Sequence, residues 1–178
     1  MRIDKEIEKI HQRLKESVNE TGHEILEEGV DTENNIWVLK VKHGNFIVLL
    51  LHPLKQKCAV IRFVFQMPKE HQKILQNHFS DPIMFQQLAY GIRAAITSPH
   101  TSHQFLLDGE KSIIGFQIDS KVYPSDKSFS LGGFDNSIQS VVSLGLMGIS
   151  FIGTMLQLGE IAIKQQEALT SSPEGIYQ

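Results

Sequence analysis

Asn136 to Gly159 is a run of 24 residues without a single charge. It is long enough for a helix to cross a bilayer. Its apolar residues (Val141, Val142, Leu144, Leu146, Met147, Ile149, Phe151, Ile152, Met155, Leu156 and Leu158) lie all round a helical wheel. A helix of that kind must be covered on every side, by protein or by lipid. Three environments satisfy it: a core helix under a sheet, a helix half covered by its own domain and completed by a second copy, or a membrane span. Gln139, Gln157, several serines and the glycines Gly145, Gly148 and Gly153 dilute the hydrophobicity and argue against the span. The chain ahead of the run also needs a helix to cover a sheet. The expected partner surface is therefore Leu146, Ile149, Phe151, Ile152 and Met155. Gly145, Gly148 and Gly153 would let another backbone come close.

The preceding chain supplies that sheet. Ile3, Ile7, Ile10, Leu14 and Val18 recur every three or four residues, which makes a helix with one apolar stripe, ended at Thr21-Gly22. The period then changes to two. Strands are expected at His23–Gly29, Ile36–Lys42, Phe46–Leu51 and Lys57–Gln66, with His43-Gly44-Asn45 and His52-Pro53 as breaks. Pro68 to Phe79 and Asp81 to about Thr97 read as helices, each with Pro at its start. Gly91 marks a close helix contact in the second. Thr97–His103 reads as a polar loop, Gln104–Leu107 and Ser112–Tyr123 as strands. Asp135 is the expected N-cap of a last helix that runs to about Leu169. The expected architecture is α+β: an antiparallel sheet flanked by N-terminal, central and long C-terminal helices. Residues 1–169 form one domain and residues 170–178 a polar, flexible tail.

Composition excludes several functions. The net charge of −3 leaves no basic footprint for nucleic acid. One cysteine, Cys58, cannot form an intramolecular disulfide, and Met1–Asn19 lacks the apolar core of a signal peptide, so a cytoplasmic setting is expected. No catalytic, cofactor or metal site is assigned. His100 and His103 form H-x-x-H after Pro99, with no third ligand nearby in sequence. Cys58 and the serines lack an activating context, and Gly132-Gly133 lacks a phosphate-loop fingerprint. Glu27, Glu28 and Asp31 read as a solvated acidic turn before Trp37.

Gln66-Met67-Pro68-Lys69-Glu70-His71-Gln72-Lys73-Ile74-Leu75 and Ile118-Asp119-Ser120-Lys121-Val122-Tyr123, set in this order of elements, resemble an uncharacterised, mainly archaeal family with a type III secretion chaperone-like fold. The resemblance implies an α-β-β-β-α-β-β-α layout and a small acidic homodimer that wraps extended protein segments, without implying secretion. It carries over no functional residue. The chain departs from that family in its apolar, glycine-containing last helix. The expected function is thus a non-enzymatic protein-binding module of chaperone or adaptor character. The alternatives are a small-ligand binder or enzyme whose pocket gathers His52, Arg62, Arg93 and His103, or a protein attached to a membrane through residues 136–159.

Overall fold

The computed structural model describes residues 5–79 and 81–170, the side chains of residue 78 and of residues 161–170 excepted. The expected tail lies almost wholly outside these residues, as does Ile3. In chain order the elements are α1 (Lys5–Glu20), β1 (Glu24–Asp31), β2 (Ile36–His43), β3 (Phe46–Pro53), β4 (Ala59–Gln66), α2 (Lys69–His78), α3 (Pro82–Ile96), β5 (Thr101–Leu107), β6 (Ile113–Val122) and α4 (Leu131–Thr170). The six strands form one sheet in the order β1-β2-β3-β4-β6-β5, and every neighbouring pair is antiparallel. Four strands and then two helices stand where the chaperone-like layout has three strands and one helix.

Turn chemistry produces the meander. The Asp31 carboxylate accepts the backbone N–H of Glu33 and Asn34, and Asn35 takes φ 54° to close β1 onto β2. Gly44 takes φ 58° between β2 and β3. Asp81 caps α3 by accepting the N–H of Ile83 and Met84, with Pro82 following. The α2–α3 pair carries the chain past the place beside β4. The β5–β6 hairpin then returns β6 into it, which leaves β1 and β5 as the edges.

One face of the sheet builds the core. Leu39, Leu50 and Ile61 are in register across β2, β3 and β4, as are Val48, Phe63 and Ile118 across β3, β4 and β6. All are buried against the helices. α4 lies on this face through Ile138, Val141, Val142 and Ile152. Two of its glycines set the depth: a Cβ on Gly145 would sit 2.4 Å from the Phe63 ring, and one on Gly148 would sit 2.6 Å from Phe116. Both are thus used inside the domain, while Gly153 meets open space. Gly91 makes the expected helix contact, since Phe151 of α4 fills the place of its missing Cβ.

Several boundaries differ from expectation: β1 runs on to Asp31, and β3 runs through the expected His52-Pro53 break, with Pro53 opposite Ile36. α4 begins at Leu131, and Ser130 Oγ accepts the N–H of Gly133, so Ser130 is the cap. Asp135 lies inside the helix and bonds His23 instead. β5 takes in Thr101–His103, because pairing with Ser120, Asp119 and Ile118 of β6 overrides their polar character. β4 starts at Ala59, so Cys58 precedes it and its Sγ–H donates to the Gln56 side chain.

Candidate interaction surfaces

The solvent side of α4 is the first surface. Ser143, Leu146, Met147, Ser150, Thr154, Gln157 and Leu158 recur at helical spacing and are all exposed. Leu146, Met147 and Leu158 keep 41%, 55% and 49% of their surface in water. Of the five residues expected there, Leu146 is exposed. Ile149, Phe151 and Met155 are half-buried against the core, and Ile152, at 1% exposure, belongs to the domain's own core. The sequence reading missed Met147 and Leu158, whose sidedness depends on where the sheet and α3 lie.

The two sheet edges form a contrasting pair. β1 carries Glu24, Glu27, Glu28 and Asp31, and a bulge interrupts it between Ile25 and Glu27. Lys42, Lys40 and Lys15 pair with Glu24, Glu27 and Glu28. Charges and bulges of this kind keep an edge from accepting another strand. Glu28 also accepts the Trp37 indole N–H at 2.9 Å, so it is not part of a merely solvated turn. β5 reads Thr-Ser-His-Gln-Phe-Leu-Leu and carries no acid or Lys/Arg to guard its outer side. The Arg93 guanidinium stands 5.8 Å above the Phe105 ring, and it has no salt bridge among the described residues. Burial, and secondarily Arg93, lowers the pKa of His103.

The four polar groups expected to share a pocket stand apart. His52 is buried on the helix side of the sheet. Its Nε2–H donates to the Gln56 carbonyl at 2.9 Å, which leaves Nδ1 to accept the Nε2–H of His11 at 3.0 Å. His11 in turn stacks on Trp37 at 4.2 Å. Arg62 lies on the opposite face, in a bidentate pair with Asp119 across the strands at 2.8 Å. Arg93 and His103 are together, but at β5. A second histidine pair joins sheet to helix: His23 bonds Asp135 at 2.9 Å and His43 at 3.3 Å. His100 sits in the turn before β5 and His103 on the strand. Among the described residues, no group of three or more His, Cys, Asp and Glu side chains has the geometry to hold a metal ion.

No family model matches the sequence, and no curated protein does. The fold is shared. The crystal structure of an uncharacterized protein from Methanothermobacter thermautotrophicus is similar with a TM-score of 0.71 and 15% identity, over 83% of this chain and 99% of that one. At that identity the likeness shows the fold alone, here a mixed α+β domain with a six-stranded antiparallel sheet.

Proposed function

We propose that the chain is a non-enzymatic protein-binding module that works as a homodimer and takes an extended segment of a partner. The observation that carries this reading is the solvent side of α4. A surface helix ordinarily carries charge there. Here an uncharged stripe exposes Leu146, Met147 and Leu158, between serines and a threonine small enough for a second helix to approach. A second copy of α4 about a two-fold axis would cover it. The extended segment is assigned to β5 rather than to β1, because β5 alone of the two edges lacks guarding charges.

A membrane role is the weaker reading. Leu131–Glu160 has the length to span a bilayer, and its most apolar 18 residues reach a mean hydropathy of 1.8. Yet insertion would pull α4 from Phe63 and Phe116, onto which its glycines are fitted.

Sedimentation of the purified chain tests the dimer. The expected mass is twice 20.1 kDa, and Leu146→Glu with Met147→Glu returns it to the single-chain value. A wild type that sediments as one chain in the range of about 100 µM, far above the dissociation constant of a functional dimer, sinks the dimer. Selection of displayed peptides tests the edge. Enriched peptides should lose binding to Ser102→Lys/Gln104→Lys, which adds charges to β5; equal binding to that variant overturns the assignment.

A further inference from the structure

A cavity of about 380 Å³ opens between α2, α3 and the turn that joins β5 to β6. Its floor is apolar and fixed: Leu75, Leu88 and Ile113 are buried, with Phe85 beside them. Its mouth carries Glu110 and Lys111. Both side chains are exposed, and neither forms a salt bridge among the described residues.

The turn that holds them is built rigidly. The Asp108 carboxylate accepts the N–H of Glu110 at 3.0 Å and of Ser112 at 2.8 Å, and the Gln76 side chain of α2 donates to it at 3.2 Å. Lys111 sits in this turn with φ 64°. That region suits Gly and Asn and is unfavourable for a lysine. A lysine held there at such a cost points to a use for its side chain.

We propose that this cavity binds a free α-amino acid with a large apolar side chain. The side chain enters the floor, the carboxylate meets the Lys111 ammonium, and the α-ammonium meets the Glu110 carboxylate. The cavity is at the small end of the range for ligand pockets, which suits one small molecule. Opposite charges on adjacent residues match a ligand that bears both charges on one carbon. A peptide chain keeps its two terminal charges apart, so it matches less well.

Calorimetric titration of the full chain with phenylalanine, leucine, tryptophan and glycine tests it, with N-acetylphenylalanine and phenylalanine amide as capped controls. At least one large apolar amino acid should bind saturably at one per chain. Each capped form should bind at least about tenfold more weakly, the loss of one charged contact, and glycine should not bind. Lys111→Gly removes the ammonium while placing the residue that prefers this φ. It should weaken binding at least about tenfold, as a charged contact is lost, with a melting temperature equal to or above that of the wild type. The proposal fails if none of the three large amino acids binds below about 10 mM, an affinity too weak for a built site. It also fails if the capped forms bind equally, or if Lys111→Gly binds as the wild type does.

Discussion

Among the described residues, Thr101 Oγ1 is buried with no hydrogen-bond partner, and a hydroxyl in that position forfeits about 1–3 kcal/mol of hydration. Valine keeps the branched shape that β5 needs and drops the hydroxyl. Thr101→Val should therefore raise the urea-unfolding free energy by about 1 kcal/mol; a lower value would mean that the hydroxyl has a bonded role. His11 makes stability depend on pH. Burial, then the neighbouring His52, holds its pKa at about 4, and burial lowers that of His52 as well. The unfolded chain takes up these protons near the ordinary value of 6.5, whereas the folded chain keeps His11 neutral until about pH 4. Between those values the unfolded state binds more protons, so stability falls as pH falls through this window and levels off below it. The loss is on the order of 2 kcal/mol. His11→Phe keeps a ring on Trp37 and removes the titrating group. Its stability should start lower, because His52 Nδ1 loses its donor, and fall less on acidification. Urea titrations at pH 7 and pH 4.5 decide between these slopes and a flat wild-type profile.

α4 shows how an element can reverse a propensity rule. Gly→Ala inside a helix normally stabilises by up to about 1 kcal/mol. At Gly148 the new Cβ would lie 2.6 Å from Phe116 and 2.7 Å from Ile96, both wholly buried, and overpacking of that kind costs about 1–3 kcal/mol. Gly148→Ala should lower the melting temperature, and Gly153→Ala, with nothing within 4 Å of its Cβ among the described residues, should raise it. Equal shifts would remove the argument that α4 is fitted to the sheet. Much of the fold was legible for the same local reasons. The stripe Ile10, Leu14 and Val18 and the alternation Ala59, Ile61, Phe63 face the core as their periods require. What stayed hidden depended on distant partners. Asp135 has the chemistry of a cap, but His23, 112 residues away in sequence, takes it. Thr101–His103 looks like loop because an edge strand needs no full apolar alternation. The α4 surface was legible as uncharged. Which of its residues meet water was not, because strand order and the placement of α3 decide that. The Lys111 turn gave no signal at all: Asp108-Gly109 reads as an ordinary turn until φ at Lys111 is seen.

For the molecule as a whole, the proposed dimer would make α4 couple stability to assembly. Its inner side closes the core through Ile138, Val141 and Ile152, while its outer side leaves Leu146, Met147 and Leu158 in water in the single chain. If a second copy covers that side, dissociation and unfolding share one element, and mass action enters the stability. A ligand or partner that binds only the folded state stabilises it by an amount that grows with concentration, about 2.7 kcal/mol for a hundredfold rise. The two chains of a dimer share that amount, and for a domain of this size each kcal/mol moves the midpoint by about 2–4 °C. The melting temperature of the wild type should therefore climb by several degrees as its concentration is raised a hundredfold. The Leu146→Glu/Met147→Glu chain should melt at one temperature throughout, near the dilute limit of the wild type, because both side chains lie outside the core. A wild type whose melting temperature ignores concentration would show that α4 contributes to one chain alone. A double variant that melts far below the dilute wild type would show instead that the two residues support the fold from within.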